Sequence, residues 1–431
     1  MTHESIRAMR LPSLALVSSL LCLTLAACAH RSGSGAMAIN PALDPISERY
    51  VRLALAVGRH DENFVDAYYG PPQWKEEAAA GTARPVPGLL AEARELLGRL
   101  QTLPPSSRRS FLSGQLVALE GFLRRLGGER MTFAEEARLL FDVTPPPCGP
   151  EVLEPARLKL EQLLPGEGSL ADRIAAARKR VEAPRERLPA LVEAALAETR
   201  ERTRKLRSLP AGEEFAVEFV HDKPWGAYNW YQGGFRSLIQ INTDVPWPLD
   251  DVLDTLAHEG YPGHHVNNAL LEQELVRSRG WREFSIYPLY SPQSLVAEGT
   301  AVVGSQILFS EAERRAFLAR LAEQAGVAQA QMDLWREVRA ASRPLLCIGA
   351  EAARLLLDEG KSEPEIEAFL VRYGRSPERA RQSIRFIRTY RTYMLNYFVG
   401  EGLVEKRIGQ GPERVQRYFE LLDRPVVPSE L

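Results

Sequence analysis

The sequence predicts a mainly α-helical protein of two lobes with one small antiparallel β-sheet. Apolar residues recur at spacings of three and four over most of the chain, the pattern of amphipathic helices. Two short runs, 214–220 and 237–242, alternate instead with the period of a strand. A chain of 431 residues is long enough to bury a large core and to divide into two lobes.

The N-terminus has the features of a secretory leader. Residues 11–27 are apolar and follow two arginines, which predicts a signal peptide over 1–27. Its end, Leu25-Ala26-Ala27-Cys28, resembles a bacterial lipobox, so we expect cleavage before Cys28 and a lipid on its thiol. Residue 29 is Ala rather than Asp, which by analogy favours the outer membrane, facing the periplasm. An ordinary signal peptide or an N-terminal anchor is the alternative.

Charge and cysteine usage narrow the range of partners. The net charge is −2 with acids and bases interspersed, and without a basic stripe or zinc-finger spacing we expect no nucleic-acid partner. Cys22 belongs to the leader and the thiol of Cys28 would carry the lipid, which leaves Cys148 and Cys347 as the other cysteines of the mature chain. An oxidising periplasm permits a disulfide, but two cysteines are too few to indicate a fold held together by disulfides. We expect both to be free and buried.

The first lobe is predicted over 46–208, after a Ser/Gly/Ala-rich tether that occupies 28–45 together with the lipid anchor. Ser47 suits the N-cap of its first helix. Pro184 or Pro189 would kink its last helix. The predicted helices are 47–69, 89–103, 109–126, 132–141, 153–164 and 170–208.

The second lobe is predicted over 209–431 and begins with the small sheet. A helix starts at Asp250 or Asp251, after Pro248, and carries His258. An exposed edge of the sheet could hold an extended peptide beside this helix; a hairpin that only packs on helices is an equal alternative. Further helices are predicted over 294–325, 328–359, 363–373 and 377–407.

Residues 258–265 read His-Glu-Gly-Tyr-Pro-Gly-His-His and carry three of the seven histidines. Zinc proteases place two histidines four residues apart on a helix, with a glutamate beside the first as general base. Here Pro262-Gly263 interrupts the segment, so the second histidine comes six or seven residues after His258. Such a cluster beside Glu259 predicts a metal site rather than core or surface histidines.

The spacing leaves the second ligand open between His264 and His265. In an unbroken helix, six residues turn by about 600° and seven by about 700°, but seven also separate the Cα atoms by about 10.5 Å. A kink at Pro262-Gly263 could bring His264 to the metal. We favour His264, because Gly-His also ends the ordinary short motif of several zinc peptidases. His265 would then lie behind the ligands or contact substrate.

Glu298 is the best candidate for a third ligand. It stands alone in the most apolar helical segment of the chain, within Val296-Ala297-Glu298-Gly299-Thr300-Ala301. A buried carboxylate must be paired or coordinate a metal. A solvated glutamate at a helix start is the alternative.

The two motifs together resemble the bacterial domain-of-unknown-function 885 family. The resemblance rests on 258–265 followed by Ala297-Glu298-Gly299, and the helical plan extends it over most of the mature chain. That family is similar to the helical gluzincin-type metallopeptidases, such as the thermostable carboxypeptidase and oligopeptidase groups. The resemblance implies a two-lobed metallopeptidase-like fold with the sheet before the zinc-binding helix. Thr300 stands where many relatives carry an aromatic residue.

The implied reaction uses Zn²⁺ on His258, His264 and Glu298 to activate water. Glu259 would take the proton of that water and pass it to the leaving amine. The C-terminal helical run supplies Tyr397 and Tyr393 as candidate donors to the oxyanion.

Three other side chains are weaker candidates for the site. Arg388 and Arg391 could hold a substrate carboxylate, although surface salt bridges are the simpler expectation. His221, beside Asp222, could lie near the site, although a loop histidine is the safer interpretation.

Three functions are compatible with this pattern. The first is a lipid-anchored zinc peptidase acting on short peptides. The second is a zinc hydrolase of another amide, such as a cell-wall peptide or an amino-acid amide. The third is a non-enzymatic envelope lipoprotein with a vestigial metal site. Retention of the His258-Glu259 pair and of Glu298 favours the first two, because a scaffold without activity does not need the base.

Overall fold

The structure is a computed structural model that describes residues 41–223 and 225–431. The predicted signal peptide, the predicted lipidation site Cys28 and nearly all of the predicted tether lie outside the described residues. The prediction of a mainly helical protein is confirmed. Among the described residues, no helix is both long enough and apolar enough to cross a membrane.

The α-helices of the described residues are α1 (Asp44–Val57), α2 (Pro72–Ala79), α3 (Val86–Gln101), α4 (Ser107–Leu126), α5 (Phe133–Phe141), α6 (Pro150–Leu163), α7 (Leu170–Lys179), α8 (Leu188–Leu206), α9 (Leu249–Glu259), α10 (His264–Leu271), α11 (Pro292–Leu308), α12 (Glu311–Ala325), α13 (Gln329–Ser342), α14 (Ile348–Leu357), α15 (Glu363–Arg372), α16 (Pro377–Tyr390), α17 (Leu395–Ile408) and α18 (Arg414–Leu422). In the first half α3 packs against α4, and in the second half α11 packs against α9 and α17.

The sheet before α9 has three strands rather than two. They are β2 (Glu214–Val220), β3 (Ala227–Gly233) and β4 (Arg236–Asn242), in the order β2–β4–β3. The strand β4 pairs antiparallel with β3 but parallel with β2, so the prediction of an antiparallel sheet was wrong for one of the two pairs. The turn at Gly233-Gly234 forces β3 and β4 antiparallel, whereas β2 lies on the opposite side of β4 and runs parallel to it.

A second, two-stranded sheet was missed in the sequence. It joins β1 (Val65–Tyr68) to β5 (Ile286–Pro288) in antiparallel pairing. The first helix, predicted to reach Tyr69, therefore ends at Val57. The pairing partner of β1 lies more than two hundred residues further along the chain, so no local pattern could show it.

Four of the long predicted helices are each two helices in the structure. One of them, the run 377–407, divides into α16 and α17 at a 3₁₀ segment, Arg391–Met394. The run 170–208 divides into α7 and α8 around Pro184, because proline removes a helical hydrogen bond. The run 294–325 divides at Ser310, where a capping box with Glu313 starts α12. The run 328–359 is interrupted by a 3₁₀ segment, Arg343–Cys347, that contains Pro344.

The apolar core combines residues from both sides of the predicted boundary at 208. One cluster extends from Phe133 to Leu395, and another contains both Leu43 and Tyr393. The helix α11 is buried along most of its length, which its apolar composition predicts. The division into lobes at 208 stays a prediction.

Cys148 and Cys347 form a disulfide, with Cα atoms 5.8 Å apart. The expectation that both are buried is confirmed, and the expectation that both are free was wrong. The segment before α6 packs against the 3₁₀ segment before α14, which brings the two thiols together. They lie 199 residues apart in the chain, so their proximity is a property of the fold alone.

Candidate metal centre

A sharp corner between α9 and α10 shapes the histidine segment. The helix α9 ends at Glu259 and α10 begins at His264, and the Tyr261–Pro262 peptide bond in between is cis. The backbone of Gly263 turns back so closely that a Cβ there would lie 1.8 Å from the carbonyl oxygen of His258. Only glycine fits this approach. The corner places His264 across from His258.

Three side chains converge at this corner, as the sequence predicts for His258, His264 and Glu298. Their ligand atoms lie within 4.8 Å of one another. The His258 Nε2 atom is 3.1 Å from His264 Nε2 and 3.3 Å from Glu298 Oε2, and the third edge of the triangle, between His264 Nε2 and Glu298 Oε2, is 3.7 Å. A tetrahedral zinc ion with bonds of about 2.0–2.1 Å separates its ligand atoms by about 3.3 Å. The triangle therefore has the size of one face of a zinc site.

The two oxygens of Glu298 have different surroundings. The residue is 5% exposed, and its Oε1 accepts a 2.7 Å hydrogen bond from the hydroxyl of Tyr393. Its Oε2, on the side of the histidines, is buried and forms no regular hydrogen bond in the described part of the chain, and it lies 3.3 Å from His258 Nε2 and 3.7 Å from His264 Nε2. An unsatisfied buried carboxylate oxygen is costly, and a cation would remove the cost. The orphaned oxygen is the one that completes the triangle.

The centre has a negative electrostatic environment. Burial alone would raise the pKa of Glu298, but His264 and His258 outweigh it and hold that pKa below its usual range. Burial alone would lower the pKa of His264, because an imidazolium is charged. The nearby charges of Glu298, Glu259 and Asp66 outweigh burial and raise that pKa to about 9. The carboxylates thus favour a positive charge at the position where the three ligand atoms meet.

His265, the other candidate for the second ligand, points away from the centre. Its Nδ1 lies 2.9 Å from the Ser237 hydroxyl in β4, and its Nε2 lies 3.1 Å from Glu213 Oε2. All three side chains are buried. The arrangement ties α10 to the sheet and leaves His264 as the histidine that faces His258.

Glu259 and Tyr397 face a large cavity that opens beside the centre. The cavity has a volume of about 930 Å³, and its lining includes His258, Glu259 and residues of α13. Tyr397 is 40% exposed in it, and its ring stacks over His258 with centroids 6.5 Å apart. Tyr393, by contrast, is buried behind Glu298.

Three side chains near the centre, those of Asp66, Tyr228 and Tyr287, were not predicted from the sequence. Asp66 in β1 accepts a hydrogen bond from Tyr228 in β3. Burial raises the pKa of Asp66 to about 6, with Glu298 and Glu259 adding to the shift. Burial and the charge of Glu298 raise the pKa of Tyr287 in β5. The strand that carries Asp66 had one signal in the sequence, the alternating run Val65-Asp-Ala-Tyr68 before Gly70-Pro71. The helical spacing of the preceding residues continued into this run and hid the strand.

The weaker candidates lie elsewhere. Arg388 pairs with Glu363 at 3.2 Å and Arg391 with Glu136 at 2.7 Å, in agreement with the simpler expectation of salt bridges. His221 is on an exposed loop with Asp244 as its partner.

Comparisons with known proteins identify no family. No protein-family model and no curated protein matches the chain. A crystal structure of a candidate lipoprotein from Colwellia psychrerythraea aligns over 90% of this chain and 74% of that protein, with a TM-score of 0.49 and 14% identity. A likeness this distant supports no conclusion about activity, and the resemblance to the 885 family stays a prediction.

Proposed function

We propose that the protein is a zinc-dependent hydrolase of peptide bonds in short peptides. The observation that carries the proposal is the convergence of His258, His264 and the orphaned Oε2 of Glu298 at the spacing of a tetrahedral zinc site. Two imidazoles and one carboxylate are a ligand set of catalytic zinc, which keeps a further position open. Zinc held there supplies a Lewis acid that polarises a carbonyl and makes water more acidic.

Glu259 is the proposed general base. It follows His258 directly and lines the same cavity. Its backbone carbonyl accepts a 2.6 Å hydrogen bond from Asn229 of β3, which fixes the end of α9 against the sheet. The Glu259 carboxylate accepts a proton from the attacking water and returns it to the nitrogen of the leaving amine.

Tyr397 is the better of the two proposed oxyanion donors. Tyr393 already donates its hydroxyl to Glu298, so its part is to orient that ligand. Tyr397 reaches the cavity beside His258. Its hydroxyl can therefore donate to the oxygen that gains negative charge as the carbonyl is attacked.

The cavity and the sheet edge favour a short extended substrate. A volume of about 930 Å³ is in the range of pockets that enclose small ligands. The strand β3 is an edge of its sheet and contacts the end of α9 through Asn229. An extended peptide can add to such an edge by main-chain hydrogen bonds.

The proposed location is the bacterial envelope, with a lipid on Cys28 and the domain facing the periplasm. The disulfide between Cys148 and Cys347 supports an oxidising compartment, since disulfides persist there and are rare in the cytosol. Attachment to the outer membrane follows only from the residue after Cys28. Mass spectrometry of the membrane-extracted protein and of Cys28→Ala tests the lipid.

Metal content and peptide cleavage test the enzymatic proposal. We expect about one zinc per chain in purified protein, and cleavage of a short-peptide library that stops with chelator and returns with zinc. Glu259→Gln should keep the zinc and lose at least about a hundredfold in turnover, the usual contribution of a general base. Zinc-free protein that does not bind zinc at micromolar concentrations, or an active Glu259→Gln variant, would overturn the proposal.

A further inference from the structure

A second cavity adjoins the first one on the far side of Tyr397. It has a volume of about 470 Å³ and shares Val302, Leu346, Tyr397 and Glu401 with the larger cavity. We call this second cavity the side cavity. Since the ring of Tyr397 stacks on His258, a ligand that extends past this tyrosine reaches from the metal centre into the side cavity.

Two arginines line the side cavity without an acidic partner. Arg375 and Arg379 form no salt bridge within the described residues, whereas Arg314, Arg339 and Arg343 around the larger cavity all pair with carboxylates. The guanidinium of Arg375 has one side-chain hydrogen bond there, to the Ser383 hydroxyl at 2.7 Å. Among the acids whose charges act on Arg379, Asp251 pairs with Arg339 at 2.5 Å and Glu182 pairs with Arg178 at 3.3 Å, while Glu378 is its neighbour in the chain and forms no salt bridge with it.

Gly349 and Ser383 fix the position of the Arg375 guanidinium. Its Nη2 lies 3.9 Å from the point where a Cβ on Gly349 would be, and its Nη1 bonds to Ser383. Both neighbours line the side cavity. Burial, followed by repulsion from Arg379, lowers the pKa of Arg375. An unpaired and partly desolvated cation is unfavourable unless an anion joins it.

Most of the remaining wall of the side cavity is apolar, with Leu346, Phe386, Met394 and Phe398 beside Gly349 and Ala350. Gln382 and Glu401 also line it, and the Glu401 carboxylate pairs with Arg343 at 3.0 Å. The cavity thus combines a fork of cationic donors with space for an apolar group. A carboxylate next to an apolar side chain matches both features, because the guanidinium binds carboxylates in a bidentate manner.

We infer that Arg375 and Arg379 bind the free carboxylate of the substrate, with an apolar side chain beside it in the side cavity. This inference rests on the proposed hydrolase activity, and it names the substrate class: peptides cleaved close to a free C-terminus that ends in an apolar residue. Arg388 and Arg391, which the sequence offered only as weaker candidates for this role, are paired elsewhere.

Binding to a pair of probes tests the inference without relying on turnover. The probes are acetyl-Ala-Ala-Phe with a free C-terminal carboxylate and the same peptide as its C-terminal amide. They are titrated into the zinc-loaded Glu259→Gln protein by calorimetry. We expect the acid to bind at least tenfold more tightly than the amide. When Arg375→Gln and Arg379→Gln are added to the Glu259→Gln protein, its affinity for the acid should fall to its affinity for the amide.

Two controls separate a local effect from misfolding. Arg388→Gln removes a paired arginine from the same helix and should keep the preference for the acid. The melting temperature of Arg375→Gln should equal or exceed that of the parent protein, since the substitution removes an unpaired cation. Arg379→Gln alone, at an exposed position, should reduce the preference part of the way if the double variant is unstable.

The outcomes separate this inference from the proposed function. Equal affinity for acid and amide, no binding of either probe, or a preference that survives in the double variant would overturn the carboxylate site. If the wild type then cleaves peptides with blocked ends, the hydrolase proposal still holds. If no peptide is cleaved but the arginine-dependent preference is present, the binding site holds and the hydrolase proposal fails.

Discussion

At the scale of single residues, Tyr393 and Tyr397 have separable roles. Tyr393→Phe removes the hydrogen bond that orients Glu298. Loss of such a partner behind a metal ligand typically weakens metal binding by about 10–100-fold. Tyr397→Phe leaves that bond in place and should lower turnover with unchanged zinc affinity.

Competition with a chromogenic chelator measures the zinc affinity of both variants, and steady-state kinetics measures their turnover at saturating zinc. If Tyr397→Phe lowers the zinc affinity and Tyr393→Phe leaves it unchanged, the roles assigned to the two tyrosines must be exchanged. Equal effects on both quantities would show that the tyrosines act as one unit.

Glu213, the buried partner of His265, should make stability depend on acidity. Burial opposes its charge, but hydrogen bonds from His265, Tyr261 and Arg204 prevail and lower its pKa to about 2. Relative to about 4.3 in the unfolded chain, this stabilises the folded state by at most about 3 kcal/mol. Because the folded pKa is the lower one, the contribution is complete above about pH 4.3 and is lost as the pH falls towards 2.

Urea unfolding of the zinc-free protein tests this between pH 7 and pH 2.5. Glu213→Gln should be less stable at neutral pH by up to that amount, and the difference from wild type should shrink as the pH falls below about 4.3. Glu214→Gln, at the exposed neighbouring position, should remain within about 0.5 kcal/mol of wild type. A difference for Glu213→Gln that does not change with pH would contradict the ion pair.

At the scale of helices, the contact between α11 and α17 positions the centre. The two backbones meet at Gly299 and Gly400, and a Cβ on Gly400 would lie 2.6 Å from the carbonyl oxygen of Leu295. This close approach brings Tyr393 and Tyr397 beside Glu298 on α11. Gly400→Ala should push α17 away, destabilise the protein by about 1–3 kcal/mol and weaken zinc binding.

Gly402→Ala is the matched control in the same helix. A Cβ at Gly402 has no neighbour within 4 Å, so alanine should stabilise the helix by about 0.5–1 kcal/mol. Urea unfolding and chelator competition compare the two variants. If Gly400→Ala is as stable as Gly402→Ala and binds zinc as well, the glycine contact does not set the geometry.

The helices and the site ligands differ in how far the sequence predicts them. Local signals were sufficient for α3, α4 and α5, because apolar spacing and caps are properties of neighbouring residues. They were also sufficient to select His258 and Glu298. They favoured His264 over His265 only by analogy with the short motif, because the geometry depends on a corner whose backbone only the fold defines.

At the scale of the whole molecule, contacts between distant segments were beyond the sequence. The pairing of β1 with β5 places Asp66 near the centre, and nothing near residue 66 indicates a partner at residue 286. The parallel pairing of β2 with β4 and the unpaired state of Arg375 and Arg379 likewise depend on residues far away in the chain. Each of these features affects the surroundings of the site. The class of substrate is therefore the property that could least be predicted from the sequence.

The disulfide joins segments from the two halves of the chain, and its removal tests how much they depend on each other. It closes a loop of 199 residues, for which the chain-entropy model gives about 5 kcal/mol of stabilisation. Measured effects are usually smaller, so we expect Cys148→Ser/Cys347→Ser to lose about 2–5 kcal/mol in urea unfolding. Wild type in reductant should lose the same amount, while the double variant should not respond to reductant. Zinc content should be unchanged under native conditions, since neither cysteine lies among the three converging ligands. A variant as stable as wild type, or a wild type indifferent to reductant, would mean that the two cysteines do not pair.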